Sequence, residues 1–252
     1  MPQALTKLRI AGYTHAGMRR EYNQDHIGFD QELGIAVLAD GMGGHKAGEI
    51  AAHMTVKFVL EKLQKFVLQK TSVSITGSQL LEFVSTTISS SNAEIFRTQQ
   101  EQEAYKGMGT TIVATLVIGS HIYVGHVGDS RLYLYRNRKV KRLTKDHSVV
   151  QDLIDRGFYT EREAREANVG HVVTRAMGTK SAVDVDTAEV PRLPYDLLML
   201  CSDGLTDMIS DWQIAETIAE NITDLDLAAK KLIALANQNG GKDNISVILM
   251  QT

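Results

Sequence analysis

A layered α+β sandwich is the fold this 252-residue sequence predicts, and three observations predict it. Two long segments in the first half and two shorter ones near the end carry apolar residues at helical spacing. Around them lie short apolar or alternating runs with the period of strands. Several of these runs are joined by only a few residues, which demands antiparallel neighbours, because a parallel pair needs a long crossover. Helices in two pairs around antiparallel strands bury their faces as layers.

In chain order, residues 8–15 alternate loosely and read as a first strand. A polar loop over 17–23, holding Arg19 and Arg20, delivers Asp25 to the start of a short second strand. Residues 34–39 form a continuous apolar strand, buried on both faces by composition. After a glycine-rich turn, Ile50, Met54, Phe58, Val59, Leu63 and Phe66 mark one long helix. Leu81, Val84, Ile88 and Ile95 mark another, with a loop over 71–77 between them. From Thr110 the period changes. Strands at 112–118 and 121–127 flank Gly119-Ser120, a two-residue hairpin turn, and strands at 131–136 and 139–143 continue the meander. Residues 147–168 return to helix character, with a capping box at Thr160-Glu161-Arg162-Glu163 and little apolar anchoring, as expected of a small excursion over the surface. Strands follow at 185–190 and 197–202. Ser210-Asp211-Trp212-Gln213 caps a helix to about Glu220, and Leu225, Ala228, Ala229, Leu232 and Leu235 line a last one. A strand over 244–250 closes the order. With no repeat, low-complexity tract or linker, one domain is expected over residues 1–252.

Hydrophobic content of 43% and charged content of 23% are those of an ordinary soluble protein. A net charge of −3 and a pI near 6.2 argue against a general nucleic-acid binder. The single cysteine, Cys201, excludes an internal disulfide and a thiolate zinc cluster and fits a reducing compartment. No run reaches the length of a membrane span, and the N-terminus lacks the apolar core of a signal peptide. A cytoplasmic location is expected. So is the lack of a fused sensor or anchor, since the sequence stops soon after its last strand.

The chemistry points to one pattern. In Val37-Leu38-Ala39-Asp40-Gly41-Met42-Gly43-Gly44-His45 an apolar strand ends in a carboxylate and passes into glycines that let a backbone carbonyl approach the same point. Asp203 and Asp243 also adjoin apolar strands, followed by Gly204 and Asn244, and Asp129 sits in a bend between strands. Any one of these is ordinary turn punctuation. Four together, with Asp25, gather oxygen ligands without histidine or thiolate, a chemistry that selects Mg²⁺ or Mn²⁺. Two such ions a few ångströms apart lower the pKa of a shared water and supply hydroxide for in-line attack on phosphorus. Arg20, five residues before Asp25, is the candidate phosphate clamp, although its spacing alone favours a solvated surface arginine.

At this point Arg20 with Asn23-Gln24-Asp25, Asp40-Gly41-Met42-Gly43-Gly44, Gly109-Thr110-Thr111, Gly128-Asp129-Ser130-Arg131, Asp146-His147-Ser148, Thr174-Arg175-Ala176-Met177-Gly178, Ser202-Asp203-Gly204-Leu205 and Asp243-Asn244 can be read together. In this order, over about residues 8–250, the sequence resembles the metal-dependent serine/threonine phosphatases of the protein phosphatase 2C type, in particular their compact bacterial members. The resemblance implies a four-layer αββα sandwich, two antiparallel sheets with a helix pair on each outer face, and a dinuclear Mn²⁺ or Mg²⁺ site at one end. It implies that Asp40 bridges the two metals while Gly41 offers its carbonyl, and that Asp203 and Asp243 ligate one metal. Asp25 then holds the other through water or from behind, and Asp129 with Asp203 forms a third, weaker site. Arg20 grips the substrate phosphate, and a flap over about 148–172 lies beside the site and influences substrate choice. Met42 stands where eukaryotic relatives carry the histidine proposed to protonate the leaving alkoxide. A metal-bound water near Asp129 and His45 are the two candidates for that proton.

The expected activity is hydrolysis of phosphoserine and phosphothreonine in proteins, by direct attack with no phosphoenzyme, since no Cys or Ser nucleophile motif is present. The resemblance names a bacterial serine/threonine kinase and its targets as partners; neither nucleic acid nor membrane is expected from the composition, and a monomer is expected. A regulatory module without activity and a small-molecule phosphoesterase remain the rival readings. Cys201 is expected to be core, His126 to be packed or hydrogen-bonded, His147 and His171 to hydrogen-bond at the flap, and Trp212 to pack behind its cap.

Overall fold

Strands of this chain alternate or run apolar according to which faces they cover, and two sheets result. The computed structural model describes residues 8–44, 47–69, 75–166 and 172–252. The first part comprises β1 (Arg9–His15), β2 (Asp25–Asp30), β3 (Ile35–Met42), α1 (Ala47–Gln69) and α2 (Gly77–Glu101). The meander follows as β4 (Gly109–Thr110), β5 (Ile112–Ile118), β6 (His121–Val127), β7 (Arg131–Arg136) and β8 (Lys139–Arg142). Next come α3 (Val149–Asp155), α4 (Glu161–Glu166), β9 (Asp186–Pro191) and β10 (Leu197–Cys201). The order ends with α5 (Asp203–Thr206), α6 (Asp211–Glu220), α7 (Leu225–Gln238) and β11 (Ile245–Gln251).

One sheet has the order β1-β11-β10-β7-β8, the other β2-β3-β5-β6-β9 with β4 added to β3, and their strand pairs are antiparallel. Three apolar clusters account for the layering. Ala36, Leu38, Val113, Leu132, Leu198, Leu200 and Ile248 fill the space between the sheets. Val37, Ala39, Ala114 and Leu116 point the other way, onto Ala52, Val56, Leu63, Val84 and Ile88 of α1 and α2. Met199, Val247 and Leu249 meet Ile214, Ile218, Ala228 and Leu232 of α6 and α7. Consecutive residues of β3 and β11 thus serve two different cores, which is why these strands read as unbroken apolar runs. The expected four-layer sandwich is present.

The local signals behave as their chemistry requires. Gly119 takes a φ of 58° in the turn that pairs Ile118 with His121. Thr160 and Glu163 cap α4 reciprocally, Thr160 N–H donating to Glu163 Oε2 at 2.8 Å and Glu163 N–H to Thr160 Oγ1 at 3.2 Å. Ser210 and Gln213 do the same for α6. The expected flap begins at Ser148, which caps α3, and is pinned at its base by an antiparallel bridge between Ser148 and Val173. Part of it, residues 167–171 including His171, lies outside the described residues. Trp212 does not pack: it is 71% exposed, because its place in the first turn of α6 turns it off the face that carries Ile214, Ala215 and Ile218. Among the described residues, no helix is long and apolar enough to cross a membrane.

Candidate metal centre

The sequence-predicted carboxylates converge where the two sheets meet at one end. Asp25 opens β2 and Asp40 lies near the end of β3, and the antiparallel register sets them directly opposite each other. Like charges facing across a strand pair are destabilising, so this pairing is costly unless something neutralises it. Asp203 follows β10 as the first residue of the single-turn helix α5, and Asp243 precedes β11, the neighbour of β10. Asp129 occupies the bend between β6 and β7. Gly41 is there for close approach: a Cβ on it would overlap the carbonyl oxygen of Gly48 and press on that of Gln24, so the turn closes only on glycine.

Hydrogen bonds lock this end together across the sheets. Ser202 Oγ donates to Asp25 Oδ2 at 2.8 Å and accepts from Ser246 N–H at 2.9 Å. Asn244 Oδ1 accepts from the Gln24 N–H at 2.8 Å, while its amide nitrogen donates to the carbonyls of Ala16 and Tyr22 at 2.9 Å. Thr111 accepts the Asp40 N–H on Oγ1 at 3.0 Å and donates its own N–H to the Asp40 carbonyl at 2.8 Å. Ser202 and Asn244 adjoin Asp203 and Asp243 in the sequence, and a short polar residue beside a candidate carboxylate is a signal for such a role. Thr111 reaches Asp40 across 71 positions, and no spacing announces it.

Electrostatics marks the cluster as incomplete by itself. Burial pushes Asp25 up to about 7, only partly offset by the hydroxyls of Ser246 and Ser202, and Asp203 raises it further. Asp129 is likewise pushed up to about 7, by burial first and then by Asp203 and Asp146. Asp40 is raised well above the ordinary carboxylate value, by desolvation and by the charges of Asp25, Asp203, Asp129 and Asp243. Asp25 Oδ1 is buried with no hydrogen-bond partner. Desolvated oxygens repelling one another, one of them without a donor, are the donor set a hard divalent cation would satisfy. The residues present therefore fit Mg²⁺ or Mn²⁺.

Arg20 is at the cluster, but its fork is occupied. Nε donates to Asp243 Oδ1 at 2.9 Å and the terminal nitrogen to Oδ2 at 2.7 Å, with both side chains about half exposed. That pairing raises the guanidinium pKa. His45 lies outside the described residues. Cys201 is fully buried in β10 and its thiol is pushed up to about 12 by burial, so it is core and not a nucleophile. Beside Asp129 and Asp203 opens a cavity bordered by Ser148, Ile154 and Ala164 of the flap and by Met208 and Lys242.

A second group, His126, His147 and Asp186, offers ligand atoms within 4.8 Å of one another. Its geometry argues against an ion. The two imidazoles stack at 4.7 Å with 14° between their planes, so their in-plane lone pairs run side by side and do not converge. His126 donates from Nε2 to the Lys145 carbonyl at 2.9 Å, and His147 Nδ1 accepts the Gly128 N–H at 3.0 Å.

With this geometry in hand, comparisons with known proteins agree on one family. Residues 11–240 match the family protein phosphatase 2C. The chain is 35% identical over 241 residues to the serine/threonine phosphatase stp of Listeria monocytogenes, covering 94% of this chain and 93% of that one. It is 34% identical over 246 residues to the protein phosphatase PhpP of Streptococcus pneumoniae, covering 96% and 97%. Among solved structures, the serine/threonine phosphatase PstP/Ppp of Mycobacterium tuberculosis superposes with a TM-score of 0.85 at 33% identity, covering 97% of this chain and 98% of that one. The catalytic domain of PstP in complex with two manganese ions superposes with a TM-score of 0.82 at 32% identity, covering 97% of each.

Proposed function

Because the chain belongs to the protein phosphatase 2C family it is a metal-dependent serine/threonine protein phosphatase, and we propose that Asp25, Asp40, Asp129, Asp203 and Asp243 form its catalytic centre. The observation that carries this reading is the face-to-face placement of Asp25 and Asp40, desolvated and ringed by three more carboxylates. Two Mn²⁺ or Mg²⁺ ions would be held by Asp40, the Gly41 carbonyl, Asp203 and Asp243, with Asp25 supporting, and a third by Asp129 with Asp203. Bound there, the cations supply a nucleophilic hydroxide near neutral pH and neutralise phosphoryl oxygens.

The chain's own residues do the rest. Ser202 and Thr111 hold Asp25 and Asp40 in place. Arg20 grips the substrate phosphate in bidentate fashion, exchanging Asp243 for an anion of matching shape. Cys201 is buried and unsuited to attack, and the sequence carries no Cys or Ser nucleophile motif, so hydrolysis is direct and leaves no phosphoenzyme. The substrates are phosphoserine and phosphothreonine proteins, among them a bacterial serine/threonine kinase and its targets. The chain acts as a single-domain monomer in the cytoplasm, a location that suits its lone, buried thiol.

The test is phosphate release from a phosphothreonine peptide, with metal stripped by chelator and Mn²⁺ or Mg²⁺ then restored. Activity vanishes and returns with the metal. Folded protein that stays inactive at every metal concentration overturns the assignment.

A further inference from the structure

We infer that His147 is a positioning residue that sets the Asp129 carboxylate from the base of the flap. The inference rests on the reading of Asp129 as a cation ligand.

Asp129 is buried in a bend, with no strand of its own to fix it. Both polar groups of the preceding residue, Gly128, are taken by His147. The Gly128 N–H donates to His147 Nδ1 at 3.0 Å, and the Gly128 carbonyl accepts the His147 N–H at 3.0 Å. On the other side, Ser130 Oγ and Thr111 Oγ1 share a hydrogen bond of 2.7 Å. Asp129 is thus gripped between two fixed neighbours, one of which leads through Thr111 to Asp40. A ligand carried by a bend owes its aim to such partners, whose loss elsewhere costs about 10–100-fold in metal affinity or activity.

The ring of His147 is itself held. It is 7% exposed and stacks on His126 at 4.7 Å. Since Nδ1 accepts, the ring proton lies on Nε2, which faces Asp186 Oδ2 at 3.3 Å, too obliquely for a regular hydrogen bond. Asp186 in turn is gripped by Arg175, just past the base of the flap. The backbone of His147 continues into that base: its carbonyl accepts the Thr174 N–H at 2.8 Å, and the Val149 N–H donates to the Val172 carbonyl at 2.9 Å. A histidine that merely filled space would need neither the Nδ1 acceptor nor this location.

The experiment compares wild-type protein with H147A, H147N, H147Q and D129A. Manganese binding is counted by equilibrium dialysis, and hydrogen exchange of the Gly128 amide is followed in chelator. H147A is expected to bind its weakest manganese equivalent about 10-fold less tightly and to exchange the Gly128 amide faster. H147N restores both, because its Oδ1 stands where Nδ1 stood, whereas H147Q, whose amide reaches the Nε2 position, does not. D129A weakens the same equivalent, and H147A adds nothing to it in the double variant. If D129A weakens manganese binding while H147A matches wild type, the role of His147 is overturned and Asp129 stands. If D129A itself leaves binding unchanged, the reading of Asp129 fails and this inference with it. Should H147A fail to fold, H147N and H147Q decide: equal behaviour of the two overturns the proposal.

Discussion

Two sets of buried carboxylates in this molecule are held in opposite ways. Asp146 and Asp196 carry their own counter-charge. Arg131 clamps Asp146 with contacts of 2.6–3.0 Å, and Arg136 clamps Asp196 at 2.6 and 2.7 Å, where the Leu193 N–H adds a third bond. Asp25, Asp40 and Asp129 face one another or other carboxylates instead. The difference teaches where function resides. A carboxylate paired with an arginine is finished when the chain folds, whereas one left among its own kind waits for a cation from solution.

Substitutions separate the two sets. Asp40→Ala should lower turnover on a phosphothreonine peptide by more than the roughly 100-fold that loss of a supporting partner costs, and it should abolish tight manganese binding. In chelator the same variant should melt no lower than wild type, since a repulsive buried charge has gone. A lower melting temperature without metal would place Asp40 with the structural set. Arg131→Ala should do the reverse, destabilising the fold by about 3 kcal/mol in urea titrations whether or not metal is present, because Asp146 is left buried with only the longer 3.5 Å contact from Arg142.

Arg20 sits between the two sets. It is an arginine paired with a carboxylate, yet at the half-exposed rim of the unpaired cluster. Arg20→Ala should raise KM roughly 10-fold with little change in kcat, as expected for loss of one charge-assisted contact to phosphate. Initial-rate curves decide it, and an unchanged KM would return Arg20 to the structural set. The smallest effect is on stability against pH. Asp25 and Asp129 titrate near 7 in the folded chain against an ordinary 3.8, so the folded state holds protons that the unfolded state has released. Their contribution is present in full below about 4 and is lost as pH rises through 7. In chelator the melting temperature should therefore be a few degrees higher at pH 5.5 than at pH 8, and manganese should remove that slope.

Much of this was legible in the sequence because each carboxylate ends or starts an apolar run. Asp40 after Val37-Leu38-Ala39 and Asp203 after the strand containing Cys201 announce strand tips, and strand tips at one end of a sandwich converge. The layered fold was legible for a similar reason, since helical and strand periods alternate cleanly along the chain. Pairing across long sequence distances was not. Nothing in the spacing says that Arg20 would lie on Asp243, or that Asn244 would tie the loop before β2 to the start of β11. Nor could a pattern tell that Trp212 faces solvent, because a helix cap fixes where a helix begins and not which way its first turn points. His147 was legible only as a neighbour of the flap, its work on Gly128 being a contact between residues 19 positions apart.

The place of β11 has a consequence for the birth of the protein. This last strand lies inside its sheet, between β1 and β10, and among the described residues the first strand pairs with nothing else there. On the ribosome, β1 must wait through the synthesis of more than two hundred residues before its partner emerges. The sheet therefore closes only after translation has passed β11, a non-local step that is intrinsically slow. Asp243 and Asn244 are made just before that strand, so the carboxylate cluster proposed as the metal centre is completed in the same late event. A half-made chain lacks the closed sandwich that gathers the proposed centre, so phosphatase activity is tied to completion of the sheet.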